Sequence, residues 1–151
     1  MSVKQSSRHR FGEGALALLI SLLVLGVPAG SGANAASPDF ALTVTPSAAT
    51  ISAGSAQRFT VTVTSENGLR GTVNVLISSV VPQLSNGPTF HLTRYDIPVS
   101  PTSPTGTAYL TAFTTSGTPK TTYTITVRGK DITGGPGYGV IHTASFTLTV
   151  Q

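Results

Sequence analysis

The sequence predicts an all-β chain: about seven short antiparallel strands in two sheets packed face to face as a β-sandwich, preceded by a signal peptide. Three observations carry this. Apolar residues alternate with polar ones at a period of two along most of the chain after residue 38. Turn-forming Gly, Pro and Asn clusters separate those runs. All 24 threonines fall beyond residue 40, and Thr suits the solvent face of a strand better than a helix. With only 9% charged residues the chain is too apolar for a disordered one, and 151 residues hold one domain rather than two.

The first 35 residues read as an address. Lys4, Arg8 and Arg10 form a positive start, an apolar run covers Ala15 to Val27, and Ala33-Asn34-Ala35 supplies the small-x-small pattern of a signal-peptidase site. An apolar run this short falls below the roughly 20 residues that cross a bilayer. Cleavage after Ala35 is therefore expected, leaving residues 36–151 as a secreted domain without a stable membrane anchor.

The strands follow in order. Phe40, Leu42 and Val44 define the first inward face, and Phe59, Val61 and Val63 the second. Asn67-Gly68 marks a tight turn before Val73, Val75 and Ile77. Asn86-Gly87-Pro88 breaks the chain ahead of Phe90 and Leu92, and Pro98 with Pro101 to Pro104 interrupts the middle. Ala108, Leu110 and Ala112 form the fifth set, closed by Gly117-Thr118-Pro119. Tyr123, Ile125 and Val127 form the sixth. Gly134-Gly-Pro-Gly137 precedes the longest set, which runs from Val140 through Ala144, Phe146 and Leu148 to Val150. A single sheet would leave these apolar faces wet, so two sheets close on each other.

Several stretches resemble the bacterial extracellular Ig-like modules of secreted and cell-surface proteins. They are Pro38 to Pro46, Ala53-Gly54 before Phe59 to Thr64, Asn67 to Val75, Thr122 to Gly129 and His142 to Val150. The resemblance spans nearly all of 38–150. It implies an Ig-like sandwich, usually non-catalytic and often an appendage or spacer on exported enzymes and adhesins. Here the expected domain runs from the leader to Gln151, so a pure spacer role is not the expectation.

Charge and composition exclude several functions. The formal charge is +4, but beyond residue 13 six basic residues face four acids, scattered rather than striped, so no nucleic-acid partner is expected. With no Cys there is neither a disulfide nor a thiolate metal site. His91 and His142, without clustered carboxylates, make a weak metal set, and no cofactor is expected. The acids at 39, 66, 96 and 131 lie in separate turns and strand ends, and no Gly-x-Ser-x-Gly elbow is present. An enzyme is not expected.

Two surfaces remain as binding candidates. The loops at 65–70 and 130–138 should share one end of the sandwich and present Glu66, Arg70, Lys130, Asp131 and Tyr138. Tyr109 and Phe113 share the outer face of one strand if Leu110 and Ala112 face inward, and exposed aromatics suit sugar rings or a protein partner. The opposite register, with the aromatics in the core, is nearly as good a reading. His142 has inward parity and reads as a hydrogen-bonded residue at the end of the core. Tyr123 resembles a tyrosine corner. The glycine-rich run at 134–139 lacks a following helix and reads as a hairpin loop, and the Thr-x-Thr repeats read as polar strand faces. The expected role is binding or adhesion at the cell surface or matrix through a glycan or protein ligand, with a structural, self-associating protein as the alternative and a small enzyme or inhibitor third.

Overall fold

A computed structural model describes residues 36–151. The expected signal peptide, residues 1–35, lies outside the described residues. Nine strands form two sheets: β1 (Asp39–Thr45), β2 (Ala48–Ile51), β3 (Ala56–Glu66), β4 (Gly71–Val81), β5 (Thr89–Leu92), β6 (Asp96–Val99), β7 (Thr105–Phe113), β8 (Thr122–Asp131) and β9 (Ile141–Val150). The four-stranded sheet has the order β1-β3-β7-β5 and the five-stranded sheet the order β2-β9-β8-β4-β6.

The seven alternating runs all became strands. Their inward residues form one core between the sheets, in which Phe59, Val61, Leu110, Tyr123, Ile125 and Phe146 are 0–1% exposed, while Ile77, Phe90, Val140 and Ala144 pack against it half-buried. The rings of Phe59 and Phe146 meet across it with centroids 4.2 Å apart. Such burial is the main favourable term in folding, about 25 cal/mol per Å² of apolar surface.

Two further strands, β2 and β6, had no signature of their own. The β2 sequence Ala-Ala-Thr-Ile lacks large alternating residues, and it pairs parallel to β9, Ala48 opposite Thr147 through Ile51 opposite Val150. Strand β6 contains Pro98, which reads as a breaker. As an edge strand beside β4 it has no second neighbour to require the missing N–H. Gly106 lets β6 close against β7, because a Cβ there would stand 2.9 Å from the Pro98 carbonyl oxygen.

Strand β4 outruns its neighbour. It pairs with β6 from Gly71 to Asn74, adds one bond from the Val75 amide to the Tyr95 carbonyl at 2.7 Å, then continues to Val81 against β8 alone, with a bulge between Ile77 and Ser79. An open groove of about 640 Å³ runs beside this free edge, lined by Ile77, Val80, Val81, Pro82, Leu84 and Thr89.

The Asn67-Gly68 turn, with φ of 50° and 80°, carries the chain from one sheet to the other rather than closing a hairpin. Leu69, 1% exposed, pins it to the core. The Tyr123 hydroxyl donates to the Pro119 carbonyl at 3.1 Å, so the corner forms as expected.

Candidate functional site

At the loop end, the two segments do meet. The Ile132 amide donates to the Thr72 carbonyl at 3.0 Å, and the Thr72 amide donates to Thr133 Oγ1. Gly137, at φ 98°, fits beside Leu69 and the Pro38 carbonyl, where a Cβ would approach to 3.0 Å. Glu66 and Arg70 are exposed, Tyr138 is 61% exposed, and the Lys130 ammonium lies 5.9 Å from the Tyr138 ring centroid. Among the described residues, no hydrogen bond or ion pair links Glu66 or Arg70 to Lys130 or Tyr138.

Asp131 requires correction. It is 2% exposed and cannot be presented at this tip. The reason is parity: it continues the inward series Tyr123, Ile125, Val127, Gly129 of β8. Its Oδ1 accepts the Thr133 amide at 3.1 Å, and its own amide and carbonyl bond to Val140 and Gly139. Asp131 holds the hairpin loop instead of facing a ligand.

The outer face of the four-stranded sheet is better organised. Strand β7 buries Ala108, Leu110 and Ala112 and turns Tyr109 and Phe113 outward, 40% and 46% exposed. The antiparallel register places Arg58 of β3 and His91 of β5 on either side of Thr111. Thr111 is thus the centre of a cross. Tyr109 and Phe113 lie along the strand, about 13–14 Å apart at 3.4 Å per residue, and Arg58 and His91 lie one strand spacing to either side. The Arg58 guanidinium sits 3.4 Å from the Tyr109 ring centroid, a cation–π stack that covers one face of the ring. Phe113 has no such cover among the described residues.

A second arginine stands beside this cross. Past the end of β5, Thr93 continues the ladder: its amide donates to the Tyr109 carbonyl and its Oγ1 accepts the Tyr109 amide. Arg94 follows, with Nε donating to the Thr107 carbonyl at 2.7 Å and Nη2 to the same oxygen. The remaining N–H groups of its fork are left for solvent or a ligand.

Sequence reasoning singled out Tyr109 and Phe113 by alternation along one strand. It missed Arg58, His91 and Arg94 as members of the same surface. Arg58 had a signal, since it shares the outward parity of Thr60, Thr62 and Thr64. Which residue it meets depends on a register between strands some 50 residues apart.

No family model and no curated protein matches the chain. Solved structures do. AggA, the major subunit of aggregative adherence fimbriae type I from Escherichia coli, is similar with a TM-score of 0.51 at 14% identity, over 75% of this chain and 96% of that one. A family 123 glycoside hydrolase from Clostridium perfringens gives 0.53 at 6% identity over 75% of this chain, which spans only 27% of the hydrolase. The BIgI domain of beta protein from S. agalactiae, bound to CEACAM1, gives 0.48 at 23% identity over 75% and 97%. The likenesses concern the fold, an Ig-like β-sandwich.

Proposed function

We propose that this chain is an exported, non-catalytic module that attaches to glycans of a cell surface or extracellular matrix through the outer face of its four-stranded sheet. The observation that carries this is the cross around Thr111: two aromatic side chains turned to solvent on a floor of threonines. Burying them inside was open to the chain, yet β7 places small alanines in the core and its aromatics outside. Ring faces stack on the C–H faces of sugars, and threonine hydroxyls exchange hydrogen bonds with sugar hydroxyls. AggA, alike in fold, is a subunit of adherence fimbriae; attachment is proposed for this chain on its own surface residues.

The test is retention of the purified protein on insoluble polysaccharides and isolated cell walls, compared with a Tyr109→Ala/Phe113→Ala variant. Selective retention that weakens at least about tenfold in the variant is expected, as loss of two aromatic contacts implies. Equal retention of the variant, or none on any material, overturns the reading; binding confined to a protein component of the walls would make the partner a protein.

A second reading has its own observation. The edge of β4 beyond Val75, whose amide donates to the Tyr95 carbonyl, is unpaired among the described residues, and no charge lies from Val75 to Val81, so another copy can add to it. The chain would then be a self-associating structural protein. A monomer at every concentration in light scattering excludes this.

A further inference from the structure

We infer that the glycan is an acidic one, its carboxylates gripped by Arg58 and Arg94. This rests on the attachment reading above and narrows it. The first support is the distribution of charge. Of the four acids in residues 36–151, none shares the Thr111 end of the face. Asp131 is buried. Asp96 lies on the other sheet and accepts the Asn74 side-chain amide at 2.7 Å. Asp39 and Glu66 pair at the opposite end of the same face, and eight residues of β3 separate Glu66 from Arg58, about 27 Å. The face is therefore cationic and aromatic from Thr111 to Thr107, where Arg94 is held, and its acids are confined to the far end at Glu66.

The second support is how the two arginines are held. Stacking on Tyr109 fixes the plane of the Arg58 guanidinium without using its in-plane N–H groups. Arg94 is clamped on the Thr107 carbonyl through one side of its fork. Among the described residues neither has a carboxylate partner. A planar fork held in place and left unneutralised matches a planar carboxylate, which it can bind bidentately. Neutral sugars would leave two positioned cations without counter-charge. The covered face of Tyr109 also shifts the platform from a bare ring to a ring bearing a cation, while Phe113 keeps an open ring for the sugar itself.

The experiment separates charge from sugar. The purified protein is titrated with polygalacturonate, with its fully methyl-esterified form and with poly-glutamate, and the series is repeated with Arg58→Gln, Arg94→Gln and Lys130→Gln. Polygalacturonate should bind, the ester at least about tenfold more weakly, and each of the first two variants about tenfold more weakly than wild type, the loss of one charge-assisted pair. Lys130→Gln, on the other sheet, should bind like wild type. Equal affinity for acid and ester overturns the acidic assignment while leaving glycan attachment standing. Equal affinity for poly-glutamate, or equal weakening by Lys130→Gln, reduces it to unspecific charge and overturns it. Absence of binding to either polygalacturonate form overturns the acidic assignment, and the attachment reading falls with it only if the neutral polysaccharides and cell walls also fail to retain the protein.

Discussion

His142 reaches across to Asp39, with Nε2 2.7 Å from Oδ1, while its ring meets Phe40 edge-on at 4.9 Å between centroids. Partial burial pulls the Asp39 pKa upward, but the histidine hydrogen bond, the Phe40 amide at 2.7 Å and the imidazolium charge outweigh it and hold the carboxyl below its ordinary value. A carboxyl depressed in the folded state adds stability at pH values above its unfolded pKa, near 4, and that contribution fades as pH falls through the folded value. The contact is expected to add a small loss of melting temperature below about pH 4. It is small because the two side chains are 40% and 33% exposed. In His142→Ala that component of the acid slope should shrink; parallel melting curves for the two proteins between pH 2 and 5 would contradict the assignment. His142 was legible from strand parity, as was Tyr123. Asp131 was misplaced because turn chemistry around it outweighed a parity that pointed inward.

At the scale of elements, the long runs were readable because each buries one face of a strand, and period-two alternation follows from that geometry. The short strands were not. Strand β2 is held by a parallel partner at the far end of the chain, and β6 by an edge position that tolerates Pro98. Neither cause is local. The unequal lengths of β4 and β6 leave an edge where self-association has a structural basis. There the residues from Val75 to Val81 combine β-branched side chains with no charge. If copies pair along it, light scattering should show mass rising with concentration, and Ser79→Lys should restore the monomer without lowering the melting temperature. An unchanged mass distribution in that variant would exclude β4 as the contact.

For the molecule as a whole, the two-sheet architecture and single core were legible in the sequence, while the surface was only half so. Alternation places a residue inside or outside, but neighbours on a face come from register and sheet order. That is why Tyr109 and Phe113 emerged from the sequence and Arg58, His91 and Arg94 did not. The parallel pairing of β2 with β9 has a mechanical consequence. The Thr147 amide donates to the Ser47 carbonyl, the Gln151 amide to that of Ile51, and the Ala53 amide to that of Gln151. Tension drawn toward Ser47 at one end and Gln151 at the other pulls these parallel strands along their length in opposite directions. The rungs then carry the load together, in shear, instead of opening one after another like a zip. We predict that single-molecule stretching gives a high rupture force that Ala53→Pro lowers by removing one rung; an unchanged force would mean that the resistance lies elsewhere. A tether anchored at one end and gripping a matrix with its sheet face would meet such a load whenever its surroundings flow.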